Sequence, residues 1–497
     1  MRKGFSFLVP MFLLAVLSFS TCSTKEYIKL VAIGDSLTMG IQDAGLVKDY
    51  QLNNFPYLIA KQMGLDDSLE QPYVTPPGFG SPPFAEPLKF ENGRIITTYL
   101  EEGIGQLALL MKLLPLLENL SLERPYDNLG VGGAWLHDIR HTTSYDNSVV
   151  PGNFLFDLVL RNTFNPDFGN TTVLQQAIEL EPTIVLLWIG NNDILRAVME
   201  GGDTSQITDS TEFRNEFTLL LSDLQAQTEA AVFVANIPGH LAIMQILENI
   251  FQIVDGFQSN VPVPVLFDTE TILPINFGDP GSLQYIPLLT VEGTDVDPVE
   301  YFVQEAIEGY LGQGLGIPTA DDLLSMGLAL DQDGADALFN AIQIAMEDAG
   351  VTMDTGVGVP FTEDLTITES EFTDILTALT EFNVILQDVS FQFDVPLVDI
   401  NHLWNPENEG AFGGYSGAFV LDDPENTVFS LDGVHPNNLG HAIIANAFID
   451  MINEELQMGI PKLNPEDFKG QYAPYTGTGI KRGSIQALTG VRDFFIR

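Results

Sequence analysis

The chain has one cysteine, Cys22, in 497 residues, so no intramolecular disulfide can staple it. Positive charge is also scarce. Twenty Lys and Arg stand against 68 Asp and Glu, giving a formal net charge of −48 and a pI near 4.1. Nucleic-acid binding needs basic side chains to neutralise phosphates, so this composition argues against that class of function. The deficit is uneven: no Lys or Arg occurs between Arg214 and Lys462. Nothing in that half of the chain can clamp a phosphate or carboxylate with a guanidinium or ammonium. Two compatible readings follow. The substrate is neutral or apolar, or the acidic surface keeps the protein soluble in salty surroundings. What the chain does have is apolar content, 45% with 10% aromatic, enough for a large core and too much for wholesale disorder. The length fits two or three domains, or one domain with large insertions.

Arg2-Lys3, the apolar run Phe5–Leu17 and the small residues before Cys22 form a secretory signal over residues 1–21, too short for a comfortable membrane span. Cys22 sits where bacterial lipoproteins carry their lipid-modified first residue. Phe19-Ser20-Thr21 departs from the commonest pattern, so an ordinary cleaved signal with an incidental cysteine stays open. Either way the protein is expected to be exported. With the anchor it belongs in the cell envelope, at the outer membrane; without it, in the periplasm or outside the cell.

Four polar turns follow apolar runs. Tyr27–Ile33 reads as a buried strand that stops at Gly34-Asp35-Ser36-Leu37, delivering a small hydroxyl to a tight turn. Tyr126–Ala134 is a short strand running into Gly130, Gly132 and Gly133, whose missing Cβ atoms leave amide N–H groups accessible. Thr183–Ile189 ends in Gly190-Asn191-Asn192-Asp193, and Asp432-Gly433-Val434-His435 precedes an amphipathic helix. Helices are expected around Leu52–Met63, Phe213–Gln227 and Glu369–Asp388, with strands at Ala230–Ile237 and Val395–Ile400. This alternation predicts a parallel α/β sheet. Residues 241–368 break the rhythm and read as an insertion that could serve as a lid, with expected helices at Tyr301–Leu311 and Asp336–Ala349. Within it, Asp331-Gln332-Asp333-Gly334 lacks EF-hand spacing and reads as a helix-capping turn. The tail 458–497 is Gly/Pro-rich and more basic, and no role is assigned to it.

Taken one at a time, these residues have ordinary readings: Ser36, Asn192 and Asp432 as helix caps, the histidines as packed or surface side chains. Together the four turns resemble, in order, the blocks of the SGNH, or GDSL, esterase/lipase family. The resemblance covers Tyr27–Ile237 and Phe372–Leu456 and is nearest to secreted bacterial lipoproteins with a long insertion before the last core strand. It implies a flavodoxin-like, three-layer α/β/α fold with a five-stranded parallel sheet, in a hydrolase domain spanning 22–457 (core 27–240 and 369–457). It implies Ser36 as nucleophile, His435 as base, Asp432 as its orienting group, and an oxyanion hole from the N–H groups of Ser36 and Gly133 and the amide of Asn192. Gly130 and Gly132 compete with Gly133, and aligning Asn128 with the family's usual asparagine selects Gly133. His402, after the last strand, is the reserve base.

No G-x-S-x-G elbow surrounds Ser36, against an α/β-hydrolase. No cluster with metal-ligand spacing stands out, so no metal and no cofactor are expected. The expected partner is a small-molecule or lipid ester, with the membrane reached only through Cys22. The apolar segments Ile104–Leu117 and Ala242–Val254 either cover an acyl pocket or are ordinary core helices. Lipase or long-chain esterase is the first expectation. A carbohydrate O-deacetylase of the same fold, or a surface lipoprotein that binds without turnover, are the alternatives.

Overall fold

The computed structural model describes residues 28–80, 86–91, 94–96, 114–199, 203–239, 367–405, 408–417 and 423–472, with short pieces between 264 and 340. The signal segment with Cys22, the apolar stretches 104–113 and 242–254, the expected helix at Tyr301–Leu311 and the tail beyond 472 lie outside the described residues.

Five strands form the main sheet: β1 (Leu30–Gly34), β2 (Asn128–Gly130), β3 (Ile184–Trp188), β4 (Ala231–Ala235) and β5 (Leu397–Val398), in the spatial order β2-β1-β3-β4-β5. Every pairing is parallel. A 2-1-3-4-5 order is flavodoxin-like, and its direction reverses between β1 and β3, where a crevice opens at the strands' carboxyl ends. Strands β4 and β5 are neighbours although the whole of the expected insertion, 241–368, falls between them in sequence.

Successive side chains on a strand point to opposite faces, and β1, β3 and β4 are apolar on both. Val31 and Ile33 join one core cluster, with Val185, Leu187, Val232 and Val234. Leu30 and Ala32 join the other, with Ile184, Leu186 and Phe233. Helices cover both faces. On the first lie α4 (Val173–Glu179), α6 (Ser210–Gln227) and α7 (Glu369–Gln392), the last two locked by Phe213 stacking on Phe382 at 4.0 Å. On the second lie α2 (Phe55–Met63) and α8 (Asn438–Leu456), where Phe55 stacks on Phe448 at 5.1 Å and meets Trp188 edge-on. Burying aromatic side chains of this size contributes on the order of 1.5–3 kcal/mol each.

Several boundaries differ from the sequence expectation for local reasons. Helix α2 starts at Phe55, not Leu52, because the Asn54 side chain accepts the Tyr57 N–H and caps it. The last strand shrinks to two residues because Asp399 caps a new turn at Ile400–Leu403. The expected irregular loop 71–87 contributes one paired segment, Phe79–Gly80 against Gly45–Leu46. Asp331 does cap a helical turn, its carboxylate accepting the Gly334 N–H at 2.9 Å.

Candidate active site

Strand β1 ends at Gly34, where any Cβ would lie 2.1 Å from Thr38 Oγ1 and 2.3 Å from the Trp188 carbonyl oxygen. Only glycine lets β1 turn this closely beside β3 into α1 (Ser36–Met39). The cap of α1 is Asp35, whose carboxylate accepts the Leu37 N–H at 3.0 Å. Ser36 is the first helical residue, so its hydroxyl is not occupied in capping, contrary to the ordinary reading of that serine. Its side chain is almost wholly buried at the base of a cleft.

Strand β3 ends in the same way. Gly190 (φ 110°) turns the chain into Asn191 and Asn192, the latter opening α5 (Asn192–Met199). The two strand ends are tied together by Asn191 Nδ2 donating to Asp35 Oδ2 at 2.7 Å. Asn192 Nδ2 donates to the Ala134 carbonyl at 2.8 Å, joining this turn to the glycine turn after β2. In that turn Gly133 takes φ 73°, the Gly132 N–H is directed at Met39 Sδ, and the Ala134 N–H returns to Val131. Among the described residues, the Ser36 and Gly133 N–H groups donate to no protein acceptor. Asn128, the residue that selects Gly133, bonds Thr38 O and Gln71 Oε1 through its amide and accepts the Gly130 N–H.

The third component comes from before α8. Asp432 is fully buried and accepts four N–H groups: Val434 and His435 backbone on Oδ1, each at 2.8 Å, and Ala44 backbone (2.6 Å) and His435 Nδ1 (2.9 Å) on Oδ2. Burial alone would raise this carboxyl, but the imidazole and the amide donors together hold it below the ordinary range. An ionised Asp432 fixes the proton of His435 on Nδ1 and leaves Nε2 as the basic nitrogen.

About 440 Å³ of space, open solvent included, lies within the cleft. Ser36, Asn191 and Asn192 contribute its polar wall. The rest is largely apolar, with Leu37, Trp188, Leu195, Ile400, Trp404 and Phe429. Val434 and Pro436, on either side of His435, line it too; Gly133 and His435 themselves are not among its lining residues. His402 and His441 are engaged elsewhere. His402 bonds Asn408 at 2.9 Å. His441 stacks on Phe55 inside the core, and burial pushes it down to about 3, a neutral packed side chain.

Sequence reasoning missed the layer beneath these groups. Asp43 Oδ1 accepts the Leu431 N–H (2.9 Å) and the Tyr472 hydroxyl (2.5 Å), and Oδ2 accepts the Tyr50 hydroxyl (2.6 Å). The Asp43 N–H donates to Ser430 Oγ at 3.0 Å. The 42–44 turn is thus bolted to the Asp432–His435 loop, and Tyr472 gives the unassigned tail a place in the bolt. No spacing pattern announces it. Asn191 was more visible: Gly34-Asp35-Ser36 and Gly190-Asn191-Asn192 have the same form, and their middle residues are the pair that bond. Burial, chiefly, pushes Asp35 and Asp43 up to about 6 and Asp193 up to about 7. Asp193 accepts the Leu136 N–H and the Thr208 hydroxyl, so it secures the start of α3 (Leu136–His141). One expectation is corrected outright. His137 and His141 stand four apart on α3, and folding brings Glu216 of α6 to them, so a cluster with metal-ligand spacing does exist.

A serine at the first strand's end and an asparagine at the third's line one cleft of a 2-1-3-4-5 sheet, at the strand ends where open α/β folds hold their ligands. The family model described as GDSL-like Lipase/Acylhydrolase matches residues 30–254. Residues 30–254 are thus similar to that SGNH/GDSL hydrolase family, and the five-stranded parallel sheet with helices on both faces is consistent with the family's three-layer α/β/α fold. Acyl-ester hydrolysis in general is the activity this match supports. No curated protein matches the chain. The matched span ends before Asp432 and His435, so their assignment rests on the geometry above.

Proposed function

We propose that the protein is a serine esterase or lipase that hydrolyses carboxylic esters with an apolar acyl chain through an acyl-enzyme on Ser36. The observation that carries this reading is the apolar cleft in which Ser36 and Asn192 share a wall with the residues flanking His435. Ser36 Oγ attacks the ester carbonyl carbon while His435 Nε2 takes its proton, with Asp432 stabilising the imidazolium. The carbonyl oxygen becomes an anion held by the Ser36 and Gly133 N–H groups and Asn192 Nδ2, which has a second hydrogen beyond the one given to Ala134. Collapse breaks the C–O bond, and His435 returns the proton to the departing alcohol. Water then attacks the acyl-serine, His435 again taking the proton; collapse breaks the acyl C–Oγ bond, His435 returns the proton to Ser36 Oγ, and a carboxylic acid leaves. The Trp188, Ile400, Trp404 and Phe429 surfaces suit a hydrocarbon chain, and the absence of Lys and Arg from residues 215–461 suits an uncharged one.

The test is turnover of p-nitrophenyl esters from acetyl to palmitoyl, with Ser36→Ala as control. The reading expects a maximum beyond acetyl and loss of activity in the variant. A maximum at acetyl would favour an O-deacetylase, activity surviving Ser36→Ala would overturn the mechanism, and no activity on any ester would favour a binding protein. We also infer that the protein is exported and anchored through Cys22. Fatty-acid labelling should disappear in Cys22→Ser, and equal labelling would remove the anchor.

A further inference from the structure

We propose that His137, His141 and Glu216 form a binding site for one borderline divalent transition metal such as zinc, separate from the ester cleft. The three ligand atoms lie within 4.8 Å of one another. They bring together two of the six histidines in the chain. Both histidines project from one turn of α3, their rings stacked at 4.2 Å. Glu216 reaches them from α6: Oε1 is 3.2 Å from His141 Nε2 and 3.9 Å from His137 Nδ1, and Oε2 is 3.1 Å from His141 Nε2. A tetrahedral ion with bonds of about 2.0–2.1 Å needs donor atoms roughly 3.3 Å apart, so small side-chain rotations would complete the set. Among the described residues His137 Nδ1 has no hydrogen-bond partner.

The surroundings fit a metal ligand set better than a plain ion pair. Arg140 Nη1 holds Glu216 Oε2 at 2.9 Å, and the same guanidinium bonds Asp223 Oδ2 at 3.1 Å. Arg140 therefore engages one carboxylate oxygen and leaves the other for the imidazoles, the job outer partners do for metal ligands. Burial would raise the Glu216 carboxyl, but Arg140 and His141 hold it below the ordinary range. Two nitrogens and one oxygen select zinc, cobalt or nickel over magnesium or calcium, which prefer all-oxygen shells. Both histidines are part-exposed, so water supplies the remaining positions. None of the three residues lines the ester cleft. A bound ion would cross-link α3 to α6, bracing the helix that follows the glycine turn.

The experiment uses the full chain, stripped with chelator and titrated with Zn²⁺ against a chromophoric competitor in millimolar Mg²⁺. The magnesium saturates weak binding by the acidic surface. The proposal expects one equivalent of Zn²⁺ bound, at least about tenfold weaker binding in His137→Ala, His141→Ala and Glu216→Gln, and a Zn²⁺-dependent rise in Tm that the double histidine variant lacks. No stoichiometric binding above the magnesium background, or unchanged binding in the double variant, would overturn it. Should the variants misfold, X-ray absorption on zinc-loaded wild type decides: a shell containing two imidazole nitrogens supports the site, and a shell with none or one refutes it.

Discussion

Replacing Asp432 with an asparagine changes one atom and removes one charge, yet the geometry predicts a large double effect. The carboxylate accepts four N–H groups, two on each oxygen. An amide has one acceptor oxygen and one donor group. In one orientation two buried N–H groups face another donor and in the other only one does, because the imidazole can shift its proton; at about 1–3 kcal/mol each, stability should fall by about 1–6 kcal/mol. If the amide oxygen stays with Ala44 and His435 Nδ1, the Val434 and His435 backbone amides lose their acceptor and the loop loosens. In the other orientation the NH₂ group meets His435 Nδ1, which must then accept. The imidazole proton moves to Nε2, and the ring can no longer take a proton from Ser36. Loss of the correct tautomer in such a triad costs about 10⁴-fold in turnover. Urea denaturation gives the first quantity and p-nitrophenyl ester turnover under folding conditions the second. A folded Asp432→Asn protein within tenfold of wild-type kcat would refute the role assigned to this carboxylate.

Three further outcomes are expected. Asn192→Ala should lower kcat by about 100–1,000-fold with little change in KM, because its amide acts on charge present only in the transition state; steady-state kinetics read this directly. Tyr472→Phe deprives the buried Asp43 of its 2.5 Å hydroxyl donor and should cost about 1–3 kcal/mol in urea unfolding, with a smaller loss of turnover than Asp432→Asn. Asp193, pushed up to about 7 chiefly by burial, keeps a proton in the folded chain that the unfolded chain releases above about pH 4. Raising the pH towards and through 7 therefore removes that stability. Asp193→Asn has no such proton, so it should gain on wild type between about pH 5 and pH 8 by on the order of 2–3 kcal/mol; a pH-independent difference in urea midpoints would contradict this.

Strands β1 and β3 were legible because each buried run stops at a glycine-led polar turn: Gly34 and Gly190 punctuate them as plainly in the sequence as in the fold. Residues 30–254 carry the family's pattern, and the sheet order follows from it. What stayed hidden lies across long sequence distances. Nothing near Asp43 hints that it bonds Leu431 and Tyr472, since a buried carboxylate is recognisable only once its donors are assembled around it. The His137–His141 pair was in view but unremarked, because a spacing of four on a helix acquires meaning only when a third ligand arrives from another helix. Element ends moved for a related reason: Asn54 and Asp399 cap through side-chain bonds that apolar periodicity does not register.

The bond between Ala44 and Asp432 closes across 388 residues, and that separation has a consequence in time. At about 5–20 residues per second of synthesis, roughly 20–80 s pass between the appearance of the Ser36 turn and that of the imidazole meant to serve it. Throughout that interval the growing chain carries a serine that no base can activate. A chain that stops anywhere before His435 never acquires the base, and one that stops before Tyr472 leaves Asp43 short of a donor. On the proposed mechanism, ester turnover therefore reports only chains that extend at least to His435, and shorter products stay chemically silent.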